Sequence, residues 1–113
     1  MLNQNNGIRE FAKLLEEGIY VQNLRLLQLK CNELAVHFIH PSVFFVLEAV
    51  FSDLRVAWGD RVLETKEYES VQKKLIPPIQ NLIEAIENPQ PDAILFERLD
   101  HVVREFSNVR LIL

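Results

Sequence analysis

Two histidines and a glutamate in the first half of the chain are the residues best suited to bind a metal ion. Glu33, His37 and His40 follow one another at intervals of four and three residues. On a helix these intervals place the three side chains within about 60° of one another. Carboxylate and imidazole groups are ligands of zinc and iron, so the trio is a candidate metal site. The alternative is a solvated helix face, because Pro41 interrupts the helix and a histidine cation is favourable near a helix C-terminus.

Four carboxylates near the C-terminus form a second candidate site. Glu84 and Glu87 are three residues apart, and so are Glu97 and Asp100 on the following predicted helix. The arrangement resembles the paired carboxylates that hold magnesium in all-α nucleotide pyrophosphohydrolases. This resemblance implies a metal-dependent hydrolase as an alternative function. Both pairs, however, project away from the apolar stripes of their helices, which favours a solvated acidic face.

The remaining reactive side chains do not form a catalytic pattern. Cys31 lies in the middle of an apolar helical stripe, where burial disfavours the thiolate. The chain contains no GxSxG, HExxH or CxxC motif and no glycine-rich phosphate loop. We therefore expect no cofactor and favour a non-catalytic protein.

The charge distribution argues against nucleic acid as a partner. The 12 basic residues are outnumbered by 16 acidic ones, which gives a formal net charge of −4. Lys73-Lys74 is the only adjacent basic pair in the chain. A local patch of Arg98, Arg104 and Arg110 is the one alternative that the sequence leaves open.

Apolar residues exceed what one buried stripe per helix requires. On the second and third predicted helices, several of them lie about 120° to 180° from the main stripe. Not every helix of a small bundle is central, so we expect another chain to cover part of this surface. The sequence also ends in aliphatic residues, which are unusual at a terminus unless they dock onto something. The residues predicted to form the interface are Leu26, Leu29, Val36, Phe45, Val56, Leu111 and Leu113.

The sequence therefore predicts a helical protein–protein interaction module, such as an adaptor, a regulator or an assembly factor. We expect it to act as a homodimer, with a further protein as another partner. In one alternative, the surplus apolar residues complete the core of a monomer. In another, a small ligand binds between helices near Phe44, Phe51 and Trp58.

An all-α bundle of about five helices is the fold class that positions these residues. The first helix is expected over about residues 7–17, and Gly18 is placed to end it. The second carries a stripe that begins at Tyr20 and ends at Phe38, with steps of four and three residues. The third is expected to begin at Pro41 and to end near Trp58, although residues 61–63 could prolong it.

Local signals also define the last two predicted helices. Thr65 is the expected N-cap of the fourth helix, which we expect to bend at Pro77-Pro78. The residues of positions 88–91 are Asn-Pro-Gln-Pro, which predicts a turn, and Asp92 is the expected N-cap of the fifth helix. So short a link predicts that helices four and five pack antiparallel.

Length and composition fit a single folded domain over residues 1–113. Hydrophobic residues make up 49% of the chain and charged residues 25%, which excludes a disordered or low-complexity protein. The one cysteine cannot form an intramolecular disulfide, which suits a reducing compartment. The N-terminus shows no signal peptide, and the apolar runs are too short to cross a membrane. We therefore expect a cytoplasmic protein.

Overall fold

The protein is built from α-helices joined by short connections. The computed structural model describes residues 4–59, 64–88 and 91–112, with the backbone alone for residues 4, 5, 111 and 112. Within these ranges the chain forms five helices and no strand, which confirms the predicted all-α class. They are α1 (Gln4–Glu16), α2 (Val21–His37), α3 (Pro41–Trp58), α4 (Thr65–Glu87) and α5 (Asp92–Ile112).

The turn between α1 and α2 depends on a glycine and an asparagine. Gly18 has a φ of 106°, a conformation that side chains with a Cβ atom rarely adopt. Asn23 in the first turn of α2 accepts a hydrogen bond from the Tyr20 N–H over 2.8 Å. Its Nδ2 donates to the carbonyl of Gly18 over 2.5 Å. The helix α1 ends just before Gly18, as the sequence predicts, and the turn there lets the apolar sides of both helices face one core.

The five helices form two hairpins that are joined through α1 and through a direct contact between α3 and α5. The helix α2 packs along α3, and α4 packs along α5, while α1 contacts α2 and α4 and α3 contacts α5. Arg98 of α5 donates to the Asn81 carbonyl of α4 over 2.7 Å, as expected for the predicted antiparallel hairpin. The molecule measures 41 × 27 × 19 Å, and its shortest dimension equals about two helix diameters. These contacts join the five helices into a closed ring in the order α1, α2, α3, α5 and α4.

Aromatic rings contact one another across the interior of the bundle. The ring centroids of Phe11 on α1 and Phe51 on α3 are 6.2 Å apart in an edge-to-face arrangement. Trp58 at the end of α3 contacts Tyr68 on α4 with centroids 5.4 Å apart. Phe11, Phe51 and Trp58 are fully buried, so the core lies inside the ring of helices.

Three predicted helix features need correction. Glu64, not Thr65, is the N-cap of α4, and Thr65 is its first helical residue. Asp92 is the first residue of α5, because the carbonyl of Pro91 accepts the first hydrogen bonds of that helix. Tyr20, predicted to begin the buried stripe of α2, is exposed over 38% of its surface. Its ring lies on Tyr68, with centroids 5.1 Å apart, rather than inside the core.

The helix α4 continues through its two prolines. Pro77 and Pro78 lie inside Thr65–Glu87, where they cannot donate to the carbonyls of Lys73 and Lys74. A bend at this point stays a prediction. The predicted extension over residues 61–63 and the turn residues 89 and 90 lie outside the described residues.

Candidate interaction surface

The apolar residues that the sequence assigned to an interface are exposed wherever the structure describes their side chains. Leu26 and Leu29 on α2 are exposed over about half of their surfaces, as is Phe45 on α3. Val36 is 77% exposed and Val56 is 76% exposed. The alternative in which these residues complete the core of one copy is therefore wrong. The side chain of Leu111 and all of Leu113 lie outside the described residues.

On α3 the exposed apolar residues lie opposite the core. Phe45, Ala49, Ser52 and Val56 follow at intervals of four, three and four, which places them within about 60° on one side of the helix. The buried residues of α3 centre about 180° away, at Leu54. This side of α3 carries no charged residue along its midline. We call it, together with the exposed apolar residues of α2, the outer face.

A polar seam runs between α2 and α3 along the outer face. Gln28 of α2 donates from Nε2 to Glu48 Oε1 over 3.2 Å. Arg55 donates from Nη1 to Gln28 Oε1 over 3.5 Å. Glu48 and Arg55 are therefore held on the flank of α3 that faces α2, at two heights on either side of Gln28.

The candidate metal ligands do not meet in the structure. The helix α2 ends at His37, and Phe38 is already extended, so His40 does not continue the helical face. His40 instead lies at the start of α3, where its Nε2 is 3.1 Å from Asp92 Oδ1 of α5. Glu33 is bound by Lys30 over 3.2 Å. Within residues 4–59, 64–88 and 91–112 no group of three or more suitable side chains could hold a metal ion.

The acidic pairs of the last two helices also remain apart. Glu84 lies 3.9 Å from the Arg98 guanidinium. Asp100 pairs with Arg104 on the surface of α5 over 3.2 Å. Without a cluster of carboxylates in the described part of the chain, the geometry does not support the hydrolase alternative.

Arginines of α5 do not form an open basic patch. Arg98 and Arg104 have the acidic neighbours just described, and Arg110 donates to Asp53 Oδ2 of α3 over 2.8 Å. By helix geometry the three guanidinium groups leave α5 in three different directions. A shallow groove of about 690 Å³ follows α5, but it is open and its walls carry paired charges. Neither feature presents the unpaired positive charge that nucleic acid would need.

The aromatic residues considered for a ligand pocket belong to the core. Phe44, Phe51 and Trp58 are each at most 1% exposed. Phe44 contacts Phe38 with ring centroids 5.3 Å apart, in an edge-to-face arrangement. These rings pack against protein atoms, and the small-ligand alternative is not supported here.

Sequence reasoning missed further exposed apolar residues. Val21 lies near the start of α2, and Ile39 lies in the connection to α3. Phe96 and Val103 on α5 are also exposed. Their positions lie about 80° to 100° around the helix from the buried Leu95. This angle, which can be calculated from the sequence, indicates the border of the buried side.

Comparison with other proteins adds no functional information. No protein-family model matches the chain, and neither a curated protein nor a solved structure matches it. Among the described residues, no helix combines the length and the apolar character needed to span a bilayer. The function must therefore be argued from the surface itself.

Proposed function

We propose that this protein is a non-catalytic helical interaction module that acts as a homodimer. The observation that carries the proposal is the outer face, where Leu26, Leu29, Val36, Phe45 and Val56 are exposed on the side of α2 and α3 away from the core. Exposed apolar residues scattered singly are ordinary, but a set concentrated on one side of a hairpin is typical of protein interfaces.

Two further observations support a binding role over catalysis. The candidate metal ligands and acidic pairs do not cluster in the described part of the chain. Cys31 is fully buried, and burial raises the pKa of its thiol far above the ordinary value. A lone cysteine kept as a thiol also suits the reducing cytoplasm, where we propose that the protein works.

The first test is the mass in solution by size exclusion with light scattering over a wide range of protein concentrations. The proposal predicts twice the chain mass of 13.2 kDa. Leu26→Glu with Leu29→Glu should give a folded monomer, because two carboxylates would have to be buried in the interface. A matched control places the same charges on exposed positions of α4, as Gln80→Glu with Asn81→Glu, and should remain dimeric.

Retention of the helical circular dichroism spectrum in both variants establishes that only assembly has changed. A mass of one chain at every concentration would contradict the homodimer. Unfolding of the Leu26→Glu, Leu29→Glu variant alone would contradict the assignment of these residues to a surface.

A further inference from the structure

The side chains along the outer face of α3 follow an order of size that is symmetric from end to end. From Phe45 to Val56 its midline carries a large apolar, a small, a small and a large apolar side chain. Phe45 and Val56 are placed symmetrically about a midpoint between residues 50 and 51, and so are Ala49 and Ser52. Small residues in the centre let two helices approach closely, while the larger ones at the ends fill the diverging space.

We propose that the occupant of the outer face is a second copy of this chain, docked with α3 antiparallel to α3 around a two-fold axis. The inference rests on the proposed function and specifies its geometry. The axis passes midway between the heights of Ala49 and Ser52, so Phe45 contacts Val56 of the partner and Ala49 contacts Ser52 of the partner. An interface between identical copies requires such self-complementarity, whereas a different partner would give no reason for it.

Charge on the flank of α3 follows the same symmetry. A two-fold axis between antiparallel helices brings the same flank of each copy together, with the order of residues reversed. Glu48 and Arg55 share one flank and lie on either side of a midpoint between residues 51 and 52. Glu48 therefore meets Arg55 of the partner, and Arg55 meets Glu48 of the partner, which gives two opposite-charge pairs.

A parallel arrangement would lose this complementarity. It brings opposite flanks of α3 together at equal height, so Glu48 would face Val46 of the partner. That carboxylate would be covered without a cation, which is unfavourable. The antiparallel arrangement is therefore the one that the charges favour.

The two exposed leucines of α2 are also placed symmetrically, as a two-fold axis requires. Leu26 and Leu29 are symmetric about a midpoint between residues 27 and 28. Both side chains are exposed. An antiparallel pair of α2 helices thus places Leu26 against Leu29 of the partner.

The two midpoints lie at one height along the hairpin. Gln28, next to the midpoint of α2, is bonded to both Glu48 and Arg55, which lie on either side of the midpoint of α3. One two-fold axis can therefore lie between the two copies at the height of both midpoints. This agreement rests on hydrogen bonds within one copy, whereas the charge argument rests on pairs between copies.

Charge reversal tests the proposed contacts between copies. In Glu48→Arg and in Arg55→Glu each homodimer brings like charges together, so we expect a Kd raised about tenfold or more. An equimolar mixture of the two variants should restore affinity, because both pairs are again opposite in the mixed dimer. The control is Glu69→Arg with Lys73→Glu on exposed α4, where neither single variant nor mixture should differ from the parent.

Disulfide formation tests the register directly. In the Ser52→Cys variant, the introduced cysteines of the two copies should form a disulfide with each other across the axis. Phe45→Cys and Val56→Cys should link to each other when mixed, but neither should link efficiently to itself. The parent chain is the negative control, because its Cys31 is buried.

The outcomes separate this inference from the proposed function. A dimer that remains after charge reversal and in which Phe45→Cys links to itself would overturn the antiparallel arrangement and leave the homodimer standing. A chain that is monomeric at all concentrations would overturn both. If the charge variants do not fold, the near-isosteric Ser52→Cys still tests the arrangement. A folded dimer of this variant that forms no disulfide between its two copies would contradict the proposed two-fold axis.

Discussion

Gln72 of α4 forms hydrogen bonds with both backbone groups of Ile19. The Ile19 N–H donates to Gln72 Oε1 over 2.6 Å, and Gln72 Nε2 donates to the Ile19 carbonyl over 2.6 Å. Ile19 is fully buried in the connection between α1 and α2, where its backbone has no helical partner. One side chain therefore fixes this connection to α4, 53 positions further along the chain.

We expect Gln72→Ala to lower the free energy of unfolding by about 2 kcal/mol, because both backbone groups of Ile19 lose their partner. Urea unfolding followed by the fluorescence of the buried Trp58 measures the change. Gln80→Ala is the control, since Gln80 is exposed on the same helix, and it should stay within about 0.5 kcal/mol of the parent. Equal effects of the two substitutions would contradict a role for the Gln72 hydrogen bonds.

Gly18 should be the least replaceable glycine of the described chain. Its φ of 106° disfavours a Cβ atom, and a Cβ atom would also overlap the ring of Tyr20. Gly59 has a φ of 51°, but a Cβ atom there would meet only the Val56 carbonyl, at an ordinary 3.7 Å. We expect Gly18→Ala to cost more than about 1 kcal/mol and to exceed the cost of Gly59→Ala. Thermal unfolding of the two variants decides the order, and a smaller effect at Gly18 would be inconsistent with the overlap.

Most of the fold could be predicted because local signals agreed with one another. Pro41 and Gly59 enclose an uninterrupted apolar period, and α3 ends at the residues they indicate. The buried side of α1 could be read from Ile8, Phe11 and Leu15, which recur at helical spacing. Such signals depend only on neighbours along the chain, so a single sequence contains them.

The arrangement between helices could not be predicted in the same way. The hydrogen bonds of Gln72 join residues that are 53 positions apart, and no local pattern indicates them. Tyr20 and Phe96 have the spacing of core residues but lie at the border of the buried side, because neighbouring helices cover only part of each stripe. The surplus apolar residues on α2 and α3 can be recognised in the sequence. That the midpoints of the two helices lie at the same height follows only from the hydrogen bonds of Gln28 in the structure.

The ion pair between α1 and α2 should make stability depend on pH at both extremes. Lys30 Nζ lies 2.5 Å from Glu10 Oε2, and this hydrogen bond lowers the pKa of Glu10 below its ordinary 4.5. The same contact raises the pKa of Lys30 above 10.5. The contribution of Glu10 is present above pH 4.5 and is lost as the pH falls through its folded pKa. The contribution of Lys30 is present below pH 10.5 and is lost as the pH rises through its folded pKa.

We therefore expect Lys30→Met to be less stable than the parent between these limits and to approach it in acid. Urea unfolding at neutral pH and at a pH well below 4.5 measures the difference. Lys73→Met on α4 is the control for removal of an exposed positive charge. A difference that persists unchanged in acid would show that the aliphatic part of Lys30, rather than its charge, stabilises the fold.

Zinc should not bind at Glu33, His37 and His40. The end of α2 at His37 separates the two histidines, and His40 and Glu33 already have Asp92 and Lys30 as partners. Isothermal titration of the protein with Zn²⁺ should give only heats of dilution. Stoichiometric heat that disappears in both His37→Ala and His40→Ala would show that the trio can still assemble around a metal ion.

Cys31 should react with thiol reagents only when the fold opens. Burial raises the pKa of its thiol far above the ordinary 9.0, and the charge of Glu48 acts in the same direction. In the native protein at mildly alkaline pH we expect labelling by an aromatic disulfide reagent to be about a hundredfold slower, or more, than in urea. Because the unfolded thiol ionises first, stability should fall as the pH rises above 9.0. Cys31→Ala should remove that part of the pH dependence, and equally fast labelling with and without urea would contradict the buried position.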